Sequence, residues 1–357
     1  MKILFLVPHP LKKSPSQRFR FEQYFKILLT AGHTYEAHSF LSPDHGRIFF
    51  ENGKFLIKAW ALFQGFMRRL ILLSRVSHFE MVFIHREAAP LGPPVLEWLI
   101  ARILYKRIIF DFDDAVWLTD KIDERWWVKA VKWRKKVRSL CKWSYKVSCG
   151  NDYLCQYARQ FNQRVIYNPT TVDTNSFQSS NKTEKKQTDE FVIGWTGSHT
   201  TLKYLNMLEE PLRALEEKYP QIRIMIIADQ PPHFSLRSID FVPWSEKTEV
   251  EYLLTIDIGI MPLPDNDWSR GKCGFKALQY MSLEKPALVS PVGVNTRVVD
   301  HGINGFHCST PLEWFSCIEY LIERRDICRE MGKLGKEKVV EHYSIVSNTP
   351  NFLSLFE

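Results

Sequence analysis

The chain has 357 residues, 45% hydrophobic and 25% charged, with 48 Lys and Arg against 40 Asp and Glu for a formal net charge of +8. That size and balance suit two globular cores and exclude a disordered or fibrous chain, and the lack of an uninterrupted apolar run of about 20 residues argues against a membrane-spanning helix. Seven cysteines with no CxxC pair suit reduced thiols in the cytoplasm, not a disulfide framework.

In chain order, the apolar run Lys2 to Val7, ended by Pro8, predicts the first parallel strand and not a signal peptide. A long polar loop, His9 to Arg20, leads to a helix around Phe21 to Leu29, and Gly32-His33 turns the chain into a strand over Thr34 to Phe40. Further strands are expected at Met81 to His85, Arg107 to Asp111 and Lys146 to Cys149. Strands alternating with helices imply a doubly wound parallel sheet with ligands at the carboxyl ends of its strands. Those ends carry Arg18 and Arg20 with Lys12 and Lys13, then His85, Arg86 and Glu87, then Asp111-Phe-Asp-Asp114. Guanidinium forks there could hold the phosphate or carboxylate of an acidic acceptor. A solvated basic loop at residues 12–20 and buried, satisfied groups at residues 85–87 fit the same letters.

Two cationic stretches interrupt this alternation. Residues 49–75 are apolar but broken by Lys54, Lys58, Arg68 and Arg69. From Trp126 a helical stretch sets Trp126, Trp127, Trp133 and Trp143 among Lys129, Lys132, Arg134, Lys135, Lys136, Arg138 and Lys142. Cationic helices bearing Trp suit an anionic membrane surface, so peripheral contact at the inner face of the cytoplasmic membrane is expected. Amphipathic helices packed on the sheet are the alternative. Nucleic acid ranks well below, because no helix-turn-helix, zinc-knuckle or RNP-like pattern is present.

The polar run Gln178 to Asp189 reads as a linker, giving a first domain over 1–170, a linker over 171–189 and a second domain over 190–340. Residues 341–357 are expected to cross back to the first domain. In the second domain a strand from Phe191 ends in Trp195-Thr-Gly-Ser198, with Lys203 downstream. An apolar strand, Ile256 to Leu263, runs into a polar loop, Asp265 to Gly274, that opens a helix over Phe275 to Leu283. The strand Ala287 to Ser290 ends in a glycine loop reaching Asn295. Helix N-termini offer unpaired amides at the positive end of a dipole, and Gly271, Gly274 and Gly293 let backbone approach an anion. Arg270, Lys272 and Lys276 add cationic donors suited to holding a diphosphate. Ordinary loop punctuation, and a helix cap at Thr200 or Thr201, are the plain alternatives.

Gly271 through Met281, Lys285 through Ser290 and Gly302 through Phe306, together with Phe191 through Lys203, resemble the C-terminal-domain segments of the retaining GT-B-fold glycosyltransferases of family 4. The resemblance implies two Rossmann-like doubly wound parallel-sheet domains facing each other across a cleft. It implies donor diphosphate and sugar contacts from Gly197, Ser198, Lys203, Arg270, Gly271, Lys272, Gly274, Lys276 and Gly293. Ribose would fall to Gln279, the nucleobase to main-chain groups at Val242 and Trp244, and the acceptor to Arg18, Arg20, His85 and Arg86. Gly271 and Gln279 stand where the family usually has two Glu residues. Asp111-Phe-Asp-Asp114 also resembles the metal-binding DxD of the GT-A fold. Under the GT-B resemblance, Asp113 or Asp114 instead stands at the reaction centre, and an N-cap remains open for the same residues.

The sequence therefore implies a retaining glycosyltransferase moving a sugar from a nucleotide-diphosphate sugar to a glycan or lipid-linked acceptor in surface polysaccharide or lipopolysaccharide synthesis. No cofactor beyond that co-substrate and no essential metal are expected. A nucleotide-sugar epimerase on the same fold, and a non-catalytic nucleotide-sugar-binding protein, are the competing readings.

Overall fold

The computed structural model describes residues 1–43, 53–120, 124–174, 189–234 and 236–357, in two compact units. Unit 1 comprises Met1–Thr170, Gly271–Cys273 and Asn348–Glu357, and unit 2 comprises Thr171–Arg270 and Gly274–Ser347. Of the expected linker run Gln178 to Asp189, all but Asp189 lies outside the described residues.

Unit 1 is built on a parallel sheet of β1 (Lys2–Val7), β2 (Thr34–Ser39), β3 (Met81–His85), β4 (Arg107–Phe112), β5 (Lys146–Cys149) and β6 (Val165–Tyr167), in the order β2-β1-β3-β4-β5-β6. Ile3 to Val7 are buried without a break, as expected of a parallel strand covered on both faces. An aromatic core fills one side: Phe5 lies 5.5 Å from Phe21 and 4.8 Å from Phe83 by ring centroids, Phe356 comes within 6.4 Å of Phe5, and Phe352 stacks on Tyr24 at 4.2 Å.

The helices of this unit used below are α1 (Pro15–Arg20), α2 (Phe25–Thr30), α3 (Phe55–Leu73), α4 (Trp126–Lys132) and α5 (Lys136–Trp143). Four depart from the sequence reading. Residues 9–20, expected as a loop throughout, contain α1, which starts on Pro15, where a missing N–H costs nothing. The Trp-rich stretch is two helices, broken where Trp133 takes a left-handed φ of 48°. In α3 the usual helix pattern is inverted. Its inward stripe is Ala61, Gly65, Arg69 and Leu72, while large apolar side chains face out.

Arg69 is accommodated because its guanidinium donates to three carbonyls, Val7 O at 2.9 Å, His38 O at 2.9 Å and Ala88 O at 2.8 Å. Burial pulls its pKa down to about 10, still charged at neutral pH. These bonds lay α3 across the carboxyl ends of β1, β2 and the segment after β3.

Unit 2 carries the second parallel sheet: β7 (Phe191–Thr196), β8 (Ile222–Ala228), β9 (Ile239–Pro243), β10 (Ile258–Met261), β11 (Ala287–Val289) and β12 (Gly305–His307), ordered β12-β11-β10-β7-β8-β9. Phe191, Ile193 and Trp195 enter one core cluster and Val192 the other, so this sheet too is covered on both faces. Val242, expected to meet the nucleobase, lies in the edge strand β9, paired with β8 from Ile239 to Pro243.

Gly65 tests the seating of α3. A Cβ there would stand 2.5 Å from the ring of buried Phe40. Gly to Ala inside a helix ordinarily stabilises by about 1 kcal/mol, whereas here overpacking by roughly 1–3 kcal/mol should outweigh it. Gly65→Ala is expected to lower the urea midpoint of unit 1; an unchanged or raised midpoint would mean that α3 does not seat on Phe40.

Candidate functional site

In unit 1 the carboxyl ends of β3, β4, β5 and β6 meet α1 in a buried polar network. Arg20, the last residue of α1, donates to both carboxylate oxygens of Asp111 and to the carbonyl of Asn168, and to Ser148 Oγ at 3.2 Å. Ser148 Oγ donates to Asp111 Oδ1 at 2.6 Å, and Asp111 Oδ2 lies 2.8 Å from His85 Nδ1. The other ring nitrogen of His85 lies 2.8 Å from Ser16 Oγ, which donates to Asp113 Oδ2 at 2.6 Å. Arg20, His85 and Asp111 are fully enclosed.

The expected acceptor contacts separate on this geometry. Arg20 is consumed by the network, and His85 has both nitrogens occupied by protein, so neither offers a free donor to a ligand. Arg18 lies against Phe19, 5.0 Å from guanidinium to ring centroid. Arg86 takes a left-handed φ of 59°, uncommon for a non-glycine residue, and reaches Asp113 Oδ1 at 2.8 Å and Asp114 Oδ2 at 2.6 Å. Lys272, expected beside a diphosphate, pairs with Asp114 Oδ1 at 2.8 Å. Each of the three aspartates thus faces a cation: Asp111 has Arg20, Asp113 has Arg86, and Asp114 has Arg86 and Lys272.

Burial alone would raise the pKa of Asp113. The charges of Arg86, His85 and Arg20, and the Ser16 hydrogen bond, overcome it and hold this carboxyl well below the usual range. Asp113 is therefore an ionised acceptor at neutral pH and not a general acid. Its side chain and that of Asp114 keep partial exposure, unlike Asp111, whose oxygens are taken up by Arg20, Ser148 and His85. That leaves Asp111 a strut for Arg20 and not an open metal ligand.

Unit 2 has the strand order 3-2-1-4-5-6 of dinucleotide-binding sheets, which reverses between its first and fourth strands, here β7 and β10. These two pair at Ile193 with Ile258 and at Gly194 with Gly259. Beyond that register the Tyr280 hydroxyl accepts from Thr196 N at 3.1 Å and donates to Ile260 O at 3.3 Å, tying the two strands together. The Tyr280 ring fits because it lies directly over Gly259, where a Cβ would collide with it.

The helices here are α6 (His199–Leu202), α7 (Asp267–Arg270) and α8 (Phe275–Ser282). Three loops leave the adjacent strands β7, β10 and β11 at the same end. Gly197 N donates to Ile227 O at 3.0 Å, Ser198 N to Thr201 Oγ1 at 3.3 Å, and His199 N to Asp229 at 2.5 Å. The amides of Gly197, Ser198, His199 and Thr201 are therefore already met by protein, with Ser198 as the N-cap of α6 and Thr201 completing the box. Gly274 and Gly293 both have positive φ, 67° and 58°, and a Cβ on Gly293 would stand 2.7 Å from Arg270 O. These glycines serve the contact between the β10 and β11 loops. Arg270 bridges Asp265, at 2.8 Å, and Asp267, at 3.5 Å.

The cation that points at the Gly197 turn is Lys276, in the first turn of α8. Its Nζ is 4.4 Å from the centroid of Trp195, 3.4 Å from Thr201 Oγ1 and 2.9 Å from where a Cβ on Gly197 would stand. Gln279, three residues on along the same helix face, is buried. Lys203 lies over Tyr204 at 5.3 Å, and Trp244, half exposed just past edge strand β9, donates its amide to Ala228 O at 2.8 Å. Ser16, Ser148, Trp195 and Tyr280 escaped the sequence reading. Only Trp195, an aromatic immediately before a Thr-Gly turn, left a signal there.

The network predicts how unit 1 responds to mutation and acid. Asp111→Asn leaves Arg20 buried without its counter-charge and should cost about 3–5 kcal/mol in urea unfolding. Acid adds a second effect through His9. Burial first, then the Arg86 charge, push His9 down to about 4 from its ordinary 6.5. Between those values the unfolded chain holds a proton that the folded chain lacks, so stability falls as pH drops from about 6.5 to 4. The slope of stability against pH over that window should flatten in His9→Asn, and an identical slope would show that His9 is not what titrates.

Residues 190–324 match the model of the family described as glycosyl transferases group 1. No curated protein sequence matches the chain. Among solved structures, an Anabaena protein, HepE, in complex with UDP aligns over 100% of this chain and 99% of its own, with 14% identity and TM-score 0.66. A glycosyltransferase from Rickettsia africae ESF-5 aligns over 99% and 97%, with 14% identity and TM-score 0.71. Sucrose-phosphate synthase from Thermosynechococcus elongatus aligns over 99% and 98%, with 12% identity and TM-score 0.70. The chain thus has the two-domain Rossmann-like GT-B fold, and its second unit carries the match to the group 1 glycosyltransferases.

Proposed function

We propose that the protein is a retaining glycosyltransferase that moves a sugar from a nucleotide-diphosphate sugar, held by unit 2, to a glycan or lipid-linked acceptor in surface polysaccharide or lipopolysaccharide synthesis. The observation that carries this reading is the convergence of Lys276 on the Gly197–Thr201 turn, 75 residues apart in sequence, at the reversal point of the sheet. A cation over an indole at that crevice suits a diphosphate, whose charge grows as the sugar departs. Gln279, with donor and acceptor on one amide, suits a pair of ribose hydroxyls. Asp113, ionised and oriented by Arg86 and Ser16, is suited to accept a hydrogen bond from an acceptor hydroxyl or to stabilise positive charge at the anomeric carbon. With Lys276 supplying positive charge, this reading assigns the diphosphate to the protein and makes a metal inessential. The match of residues 190–324 to group 1 glycosyltransferases supports the donor assignment, and the Anabaena protein in complex with UDP-glucose makes that donor the first to try.

Calorimetry of the full chain with UDP, GDP and ADP, with and without EDTA, tests the donor site. One nucleotide should bind selectively with EDTA present, and Lys276→Ala should weaken it about tenfold or more, the loss of one charge-assisted contact of roughly 1.5–3 kcal/mol. Equal affinity in the variant would remove Lys276 from the site. Donor incubated alone should remain unepimerised, which separates transfer from epimerisation.

A further inference from the structure

A charged, aromatic face of unit 1 is left over by this account. Along α3, Leu56, Trp60, Phe63, Met67 and Leu70 recur at intervals of three and four residues and are all exposed, Leu56 to 82%. They form one stripe opposite the inward stripe that carries Arg69. Trp60 and Phe63 stack on each other at 5.4 Å. A helix that buries an arginine and turns its large apolar side chains outward is built for a medium other than water.

A second element shares the character. No residue of α4 is buried, and Trp126, Trp127 and Trp133 stand out from it, Trp126 by 80%. The sequence around both is uniformly cationic. Residues 53–75 carry five Lys and Arg and no carboxylate, and residues 125–146 carry nine and none.

The two elements, although more than fifty residues apart in sequence, are both pinned to the segment after β3. From α3, Arg69 donates to Ala88 O at 2.8 Å. From the start of α5, Lys136 donates to the next carbonyl, Ala89 O, at 2.7 Å and pairs with Glu87 at 2.6 Å. From α4, Val131 O accepts from Gly92 N at 2.8 Å. Val95 and Trp98, just beyond, are also exposed.

We infer that α3, α4 and the segment between their anchors form one composite face that binds an anionic lipid bilayer, with the apolar stripe of α3 in the interface and the cations of both helices on the headgroups. Charge complementarity selects that occupant: carboxylates meet Lys136 and Arg134, through Glu87 and Glu124, but neither helix carries one of its own, so the face repels a second copy of itself and attracts anionic lipid. No helix among the described residues is long and apolar enough to cross a membrane, so α3 lies along the surface. The face borders the carboxyl ends of β1, β2 and β3, the end of the sheet that carries Arg86 beside Asp113 and Asp114. A lipid-linked acceptor would reach those groups from the bilayer plane. The face itself does not depend on the chemistry proposed above.

Flotation of the full chain with vesicles tests it, using equal parts phosphatidylcholine and phosphatidylglycerol against phosphatidylcholine alone. The protein should float with the anionic vesicles, and high salt should release it. The double variants Leu56→Ser with Phe63→Ser, and Lys129→Glu with Lys132→Glu, should each reduce binding about tenfold or more. Both pairs are exposed, so thermal melting and nucleotide binding should be unchanged, which keeps failure of the face distinct from failure of the donor site. Absence of flotation, equal flotation with neutral vesicles, or flotation indifferent to both variants would overturn the inference. So would a solution dimer that Leu56→Ser with Phe63→Ser converts to monomer, because the face would then belong to a second copy.

Discussion

The buried pairing of Arg20 with Asp111 is the constraint on which the ligand end of unit 1 depends. Two opposite charges taken out of water are tolerated only if every remaining donor and acceptor is met, and here Ser148, His85 and the Asn168 carbonyl complete the set. Because those partners sit on different strands, the pair fixes the relative height of β3, β4 and β5 and of the chain leaving β6. It also fixes α1, since Arg20 is that helix's last residue. The cost of breaking one member makes the arrangement all-or-none. The partly buried groups beyond it, Arg86, Asp113 and Asp114, are thereby set on a rigid base, with Ser16 passing that order outward from His85 to Asp113.

Unit 2 solves the corresponding problem with shape and very little charge. Its sheet divides between β7 and β10, and the strands stay together past their last paired residues because one phenol bonds to both. That phenol needs a glycine beneath its ring, and the turn after β7 needs a glycine so that Lys276 can approach it. One Rossmann-like unit therefore holds its ligand end by a saturated ionic network, and the other by close packing around small residues. The two strategies predict different sensitivities: the first to proton concentration, the second to side-chain volume.

Much of this fold was legible from the letters. Strands at Met81–His85 and Lys146–Cys149 appear with the bounds read from sequence, because short β-branched and aromatic runs flanked by polar residues have few other uses. The loop-to-helix step at Gly274 was read from the polar loop itself, whereas the nearness of Lys276 to the Gly197 turn comes from the strand order of the folded sheet. What was hidden depended on partners distant in sequence. Arg20 reads as a surface cation because nothing near it announces Asp111, 91 residues away. The amides after Gly197 read as an open anion site because their acceptors, Ile227 and Asp229, sit on and just after another strand. The break at Trp133 carries no glycine or proline, so the Trp-rich stretch looked continuous. In α3 the apolar periodicity was visible, but not which of two apolar stripes faces inward. Arg69 decides that, and only three carbonyls gathered from separate segments make its burial possible.

The aromatic core of unit 1 has one further consequence, for the order in which the molecule is made. Phe5 and Tyr24 are synthesised before unit 2, yet the rings that close over them, Phe356 and Phe352, follow only after both of its segments. A core that waits for residues on the far side of unit 2 stands incomplete while the intervening domain is free to condense. The half that begins first is thus sealed last, and its unsealed apolar surface is what nascent-chain chaperones would meet.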